Sequence, residues 1–242
     1  MRKLVFIYSL FLFLSCDENQ LLESSGTIVS KEITIGFLDK INISEGIELH
    51  ITDDTETHVK IIAGENLIDK VTFSVIDNQL FIDAKDAVRT FQSYEPIKIY
   101  ISVDDLDTIY SSSQFNVYSK NTLNFNNLHL QSGLFEDTAS GEFHLEINCN
   151  SLFVEDNRAS FYNISGNVTD LSVNFYNGDE RFEGSNLIAQ NVNVFQRSSN
   201  DIIVNPQQKI SGTIYSTGNV VLKNNPPIID VQVLYQGQLI YN

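Results

Sequence analysis

Leu128-His129-Leu130-Gln131-Ser132-Gly133, Leu152-Phe153-Val154-Glu155-Asp156-Asn157 and Leu171-Ser172-Val173-Asn174-Phe175-Tyr176-Asn177-Gly178 open alike. Each places apolar residues at alternate positions and then runs into a small polar turn, the mark of a half-buried strand that ends at a corner. Leu106-Asp107-Thr108-Ile109 stands upstream of them, and Val192-Asn193-Val194 and Ile214-Tyr215 stand downstream. Successive openings are thus 22, 24, 19, 21 and 22 residues apart. A second apolar segment follows each turn where it can be traced, as in Phe115 to Tyr118, Phe161 to Ile164, Ile202 to Val204 and Val220 to Leu222. A unit of two short strands and two turns cannot bury its own apolar side, so it must stack on the next unit. Residues 106–242 are therefore expected to form the repeats of a parallel β-helix. A barrel or sandwich would call for turns every 8–12 residues. The Asn residues of this half, among them Asn116, Asn121, Asn124, Asn148, Asn150, Asn157 and Asn167, suit corners and stacked amide ladders; a polar surface for sugars is the alternative.

Residues 26–105 alternate as cleanly but do not repeat. Ile33, Ile35 and Phe37, then Ile47, Leu49 and Ile51, Val59, Ile61 and Ala63, Val71, Phe73 and Val75, and Ile97, Ile99, Ile101 and Val103 take every second position. Asp77-Asn78 predicts a hairpin, and Leu67 to Lys70 one short helical turn. Nowhere do apolar residues recur at helical spacing over three turns. The expected class is all-β, with an N-terminal, partly antiparallel portion that caps one end of the solenoid. A βαβ nucleotide fold is excluded, and no glycine-rich phosphate loop is present.

The extreme N-terminus reads as an address. Met1-Arg2-Lys3 is basic, and the apolar run Leu4 to Leu14 is too short for a membrane span but suits a secretory signal. Phe13-Leu14-Ser15-Cys16 resembles a relaxed bacterial lipobox, which implies cleavage after residue 15 and lipidation of Cys16. An ordinary signal with a chance cysteine is the plainer alternative. Asp17-Glu18 is similar to the acidic export signal of Bacteroidetes surface lipoproteins. Residues 16–25 read as a tether. The chain carries a formal charge of −16 with 42% hydrophobic residues, a globular composition that would repel both nucleic acid and an anionic membrane surface. Loss of Arg2 and Lys3 leaves 13 basic against 31 acidic residues, so the lipid would have to supply the membrane attachment.

Candidates for chemistry are sparse. The four His, at 50, 58, 129 and 144, lack zinc-binding spacing; His50 and His58 flank an expected hairpin and read as exposed polar residues. Cys149 alternates with polar neighbours and reads as a small core residue rather than a nucleophile. Asp53-Asp54, Asp104-Asp105, Glu136-Asp137, Glu155-Asp156 and Asp179-Glu180 read as solvated turns, with calcium as the alternative. The basic residues Lys120, Arg158, Arg181, Arg197, Lys209 and Lys223 differ in their offsets within the repeats and do not align with an acidic cluster. No catalytic residue, cofactor or metal is predicted. Tyr162 and Tyr176 are candidates for an exposed platform that stacks sugar rings. Asp107-Thr108-Ile109 and Asp137-Thr138-Ala139 resemble the Bacteroidetes O-glycosylation acceptor, which makes Thr108 and Thr138 candidate modification sites.

Gly36-Phe37-Leu38-Asp39-Lys40-Ile41, Glu48-Leu49-His50-Ile51, Ala63-Gly64-Glu65-Asn66-Leu67-Ile68, Asn78-Gln79-Leu80-Phe81-Ile82 and the segment from Gly218-Asn219 to Asn225-Pro226 resemble the head GIN domain family of putative auto-transporter adhesins. The resemblance runs from about Gly26 to the end, although only Ser132-Gly133 and Thr217-Gly218 keep the family's pairing of a small residue with Gly at the repeated turns. It implies a right-handed β-helix and a cell-surface role, and supplies no catalytic residues. The expected function is that of a non-enzymatic outer-membrane lipoprotein, an adhesin or surface scaffold meeting a glycan or a surface protein. A carbohydrate-binding module is the alternative, and a degenerate polysaccharide lyase a third.

Overall fold

The computed structural model describes residues 25–90 and 95–241. The expected signal peptide, Cys16 and nearly all of the expected tether lie outside the described residues. Period-two alternation becomes strand almost throughout. The first half contains β1 (Ile28–Ile33), β2 (Lys40–Ile43), β3 (Ile47–Asp53), β4 (His58–Gly64), β5 (Thr72–Ile76), β6 (Gln79–Asp83) and β7 (Ile97–Val103). A helical turn α1 (Glu65–Ile68) and a short helix α2 (Lys85–Thr90) interrupt them. The second half contains β8 (Thr108–Ser111), β9 (Val117–Ser119), β10 (Asn127–Ser132), β11 (Glu142–Asp156), β12 (Phe161–Phe175), β13 (Arg181–Gln196), β14 (Ile202–Ile214), β15 (Val220–Leu222), β16 (Ile228–Val233) and β17 (Leu239–Tyr241).

These strands wind into a β-solenoid of about seven turns. Its axis is defined by columns of paired residues. One interior column reads Leu80, Ile41, Ile109, Leu130, Val154, Val173, Val194, Gly212 and Val231. The opposite wall reads Ile99, Leu49, Val117, Phe143, Tyr162, Phe182, Ile202, Val220 and Leu239. Parallel strands lie about 4.8 Å apart, so nine levels rise roughly 38 Å. The residues between the two ends of these columns are almost wholly buried. Every apolar side chain there is covered by the levels above and below, which is why no single unit is stable alone.

Two expectations are corrected here. The repeat unit is one long bent strand rather than two short ones: β11 to β14 run from the second wall through a corner into the first, and Asn148 pairs with Asn167 at that corner. An amide ladder covers the bend, with Asn148 Nδ2 donating to Asn124 Oδ1 at 3.2 Å and Asn150 Nδ2 to Asn126 Oδ1 at 3.1 Å. Gly166, next to Asn167, lets the strands pass closely at this corner, since its φ is +107° and a Cβ there would stand 2.0 Å from the Ile147 carbonyl oxygen. The last unit opens at Ile210 rather than Ile214, because Leu128, Leu152, Leu171 and Val192 continue into Ile210 and Ile229. The seven turns run in sequence order from β8–β9 to β16–β17, and the mixed N-terminal portion adds two further levels to the stack. Strands β2 and β3 form a level inserted between β6–β7 and β8–β9.

The expected cap is present. Strand β5 pairs antiparallel with β6 through a turn whose Asp77 and Asn78 have φ of 49° and 62°, and β4 pairs antiparallel with both β7 and β1. Strand β7 therefore separates β3 from β4, and these two do not form the hairpin expected around His50 and His58.

Candidate functional site

Strand alternation that sends Ile99, Leu49, Val117 and Phe143 inward sends Tyr100, His50, Tyr118 and His144 outward from adjacent levels. Their rings stack face to face, with centroids 4.5, 5.2 and 5.3 Å apart and planes within 10–15° of parallel. The spacing is that of the strands themselves, so the backbone imposes the stack. For three of the four rings a polar partner lies two residues earlier on the same face. His50 Nε2 sits 2.8 Å from Glu48 Oε1, His144 Nε2 sits 2.7 Å from Glu142 Oε2, and Asn116 Nδ2 donates to the Tyr118 hydroxyl at 2.8 Å. Burial lowers the His50 pKa despite the opposing pull of Glu48, which keeps its ring uncharged at neutral pH.

The outer face of the first wall carries a different cluster. The Glu155 carboxylate accepts from Gln131 Nε2 at 2.7 Å and from the Tyr176 hydroxyl at 2.9 Å, and lies 2.9 Å from His129 Nε2. Burial, followed by the bond to Glu155, pushes the Tyr176 pKa up to about 12. His129 tilts over Phe153, and Tyr176, Phe195 and Tyr215 continue as a strip with centroids 5.8 and 4.8 Å apart. Beside Phe153 runs an open groove of about 450 Å³ edged by Asp170, Ser172, Asn191, Asn193, Lys209 and Ser211. Amides, hydroxyls and a carboxylate next to aromatic faces offer both hydrogen bonds and stacking to a hydroxyl-rich ring.

The two predicted tyrosines part company. Tyr176 is half-buried on the strip just described, whereas Tyr162 is fully buried and cannot form a surface platform. It stacks on Phe143 at 4.7 Å within the second interior column, and its hydroxyl donates to Asp156 Oδ2 at 3.0 Å. Asp156 and Glu180 are likewise interior, not solvated turn residues as expected, and both are fully buried. Asp156 Oδ1 accepts from the backbone N–H groups of Asn157 and Arg158, which fixes the turn. Desolvation raises the pKa of Asp156 and lifts that of Glu180 to about 8, with backbone N–H groups of Glu180 and Arg158 pulling only weakly the other way; among the described residues neither Glu180 oxygen meets a donor in good hydrogen-bond geometry.

Other candidates are dispersed. His50 is buried rather than exposed, and His58 lies at the surface 3.8 Å from Glu32. Cys149 is a half-buried free thiol whose pKa burial pushes up to about 12. Thr108 is half-buried on β8, and the exposed Thr138 donates its hydroxyl to the Ser112 carbonyl at 2.7 Å. Acidic turns hold loops: Asp53 Oδ2 accepts from Asn124 N and Nδ2, at 2.8 and 2.9 Å. Among the described residues, no group of three or more His, Cys, Asp or Glu is placed to hold a metal ion. The stacked ladder went unpredicted, although Glu48-Leu49-His50 and Glu142-Phe143-His144 share a Glu-x-His spacing that puts acid and ring on one face of a strand.

Solved structures with the same fold support this architecture. A putative adhesin from Bacteroides fragilis NCTC 9343 is 19% identical, with a TM-score of 0.81 over 89% of this chain and 97% of its own. A putative adhesin from Parabacteroides merdae ATCC 43184 is 15% identical with a TM-score of 0.66, over 90% and 97% of the two chains. A putative lipid binding protein from Parabacteroides distasonis ATCC 8503 is 17% identical with a TM-score of 0.65, again over 90% and 97%. No curated protein matches the chain. At such identities the likeness concerns the fold. The family is shown by the match of residues 37–226 to the one described as putative auto-transporter adhesin, head GIN domain, and the chain belongs to that family.

Proposed function

We propose that this chain is a non-enzymatic lipoprotein of the cell envelope, attached to the outer membrane by lipid on Cys16, whose β-helix is a rigid surface for adhesion or scaffolding. One observation carries the reading: both lateral faces hold side chains in place through each other, ring on ring in the Tyr100–His50–Tyr118–His144 ladder and donor on acceptor around Glu155. A surface so fixed loses little conformational entropy on meeting a partner. Family membership supports an adhesive role at the cell surface. Two measurements test it. Protease added to intact cells should remove the protein, and Cys16→Ser should release it into the soluble fraction; full protection from protease would end the adhesin reading.

A carbohydrate-binding role is favoured by the aromatic strip and the adjoining groove. Binding of the purified protein to a neutral glycan array should fall at least tenfold in Tyr176→Ala and Phe195→Ala. Binding that survives both substitutions would place the glycan elsewhere.

A further inference from the structure

The two lateral faces differ in how their rings stand. In the Tyr100–His50–Tyr118–His144 ladder the planes are within 10–15° of parallel and stack along the solenoid axis, so each ring covers the next and turns its edge outward. In the strip on the first wall, Phe195 is tilted by 54° to Tyr176 and by 42° to Tyr215, so neighbouring rings do not cover one another. Charge distinguishes this second face as well. Along β12, β13 and β14 and into the corner after each, the outward positions run from Asp170 to Tyr176, from Asn191 to Arg197 and from Lys209 to Tyr215. They carry two cations, Arg197 and Lys209, against one carboxylate, in a chain of net charge −16. That carboxylate, Asp170, already accepts from Asn191 Nδ2 at 2.9 Å. Lys85, Lys98, Arg158 and Arg181 each stand beside a carboxylate, whereas Arg197 and Lys209 have no such partner among the described residues. Lys209 is half-buried at the edge of the groove beside Phe153, and Arg197 is exposed between the levels of Tyr176 and Tyr215. Six strand positions separate the two cations, about 20 Å. On the line between them lie the bond from Asn193 Nδ2 to Ser211 Oγ, at 3.2 Å, and then the Phe195 ring.

We propose that this face binds a linear acidic glycan laid along β13 and β14, with one sugar carboxylate on Lys209, a later one on Arg197 and a ring between them on Phe195. The inference rests on the carbohydrate-binding reading above and names the class of sugar. A free guanidinium offers a planar fork that fits a carboxylate, and a free ammonium offers a point charge for a second one. The amide and hydroxyl on the path meet sugar hydroxyls, and Phe195 meets the apolar face of a ring. A neutral glycan would use the ring and the amide but leave both cations in water. An acidic peptide would satisfy the cations without presenting a sugar face to Phe195. Acidity elsewhere on the chain does not forbid the contact, because at ~0.15 M salt the Debye length is about 8 Å, which screens remote carboxylates while pairs in contact persist.

Calorimetric titration of the purified protein with oligogalacturonate, and with the same chain methyl-esterified so that its carboxylates are masked, separates the two readings. At ~0.15 M salt the acid should bind about fivefold more tightly than the ester, the yield of two exposed ion pairs. The advantage should vanish near ~1 M salt, where the Debye length is about 3 Å. The double variant Lys209→Gln with Arg197→Gln should bind both chains alike, at the affinity that the unmodified protein has for the ester. Unchanged ester binding in that variant also shows that the site is still folded. An acid bound no more tightly than its ester overturns the inference and leaves the carbohydrate reading standing. Equal loss of both chains in the double variant overturns it too, since the cations would then hold the site instead of the ligand's charge, and so does polyglutamate binding as tightly as the acidic glycan. If neither glycan binds, the carbohydrate reading fails and this inference fails with it.

Discussion

Between β8 and β17 the coils stack in the order of the sequence, whereas the levels built from β2, β3, β6 and β7 do not. Strand β2 lies between β6 and β8, and β3 between β7 and β9. The first arrangement can lose its last level without disturbing the others. The second closes only when segments as distant as Leu49, Ile99 and Val117 are all in place, so it ties the cap to the repeats. Loop closure over such distances opposes rapid folding, and it makes the N-terminal levels cooperative. The inserted level should therefore be the keystone of stability, and the C-terminal coil should fray first.

Leucine truncation offers the largest test of that contrast. Leu49→Ala empties a fully buried site contacted from both sides and should cost about 3–4 kcal/mol of global stability in urea unfolding. Leu239→Ala removes the same atoms from a half-buried terminal position and should cost about 1 kcal/mol, with amide exchange raised only in β15 and β17. Equal losses at the two sites would mean that the whole solenoid unfolds as one unit.

A second contrast concerns what fills the interior. Around β2, β3 and β7 it is aliphatic, but between β11 and β13 it holds Asp156, Tyr162 and Glu180. Glu180 ordinarily ionises near 4.5 and in the folded protein near 8. Below pH 4.5 it is protonated both folded and unfolded and imposes no penalty. Between pH 4.5 and 8 the unfolded chain releases a proton that the folded one retains, so stability falls as pH rises and levels off above 8. Glu180→Gln should thus gain on the order of 3 kcal/mol at pH 7 and little at pH 4, read as the difference between urea curves at the two values. A gain independent of pH would show that the carboxyl is not the source of the penalty.

The same interior distinguishes the two tyrosines. Tyr162→Phe keeps the stack on Phe143 but leaves Asp156 Oδ2 without its phenolic donor, and should cost about 1–2 kcal/mol. Tyr176→Phe removes the corresponding bond to Glu155 at the surface, where water can replace it, and should cost less than about 0.5 kcal/mol. Thermal melts of the two variants side by side decide this.

How far the sequence could be read follows the same divide. The coil-on-coil register of Leu128, Leu152 and Leu171 was legible because sequential levels repeat the same alternation and turn. The inserted level was not, since parallel pairing at long range leaves no turn chemistry behind. The last unit slipped by four residues because its coil shortens to 18 residues between Val192 and Ile210, while Gly212 occupies a column otherwise filled by branched residues. Tyr162 looked available because Phe161 and Tyr162 are adjacent and only one can face inward. Which one becomes clear when Phe143 and Phe182 are aligned on either side. The ladder of rings had its signal in two Glu-x-His triplets, but those triplets are 94 residues apart and meet only through the intervening Tyr118.

The cap supplies the smallest effect and the most local one. Asp77 and Asn78 both occupy the left-handed region that a two-residue hairpin needs to match the twist of its strands, and the Asn78 carbonyl also accepts from Asp39 N–H at 3.1 Å at the entry to β2. Asn tolerates that backbone region better than Ala, so Asn78→Ala should cost about 1 kcal/mol, and Asn78→Gly should cost nothing or stabilise slightly. Because β6 is paired with β2 and, among the described residues, β5 only with β6, the loss should appear as faster amide exchange in β5 and β6, with β10 to β14 unchanged. If exchange also rose in β10 to β14, the turn would be coupled through β2 to the whole stack, and the capped end would govern the repeats rather than merely close them.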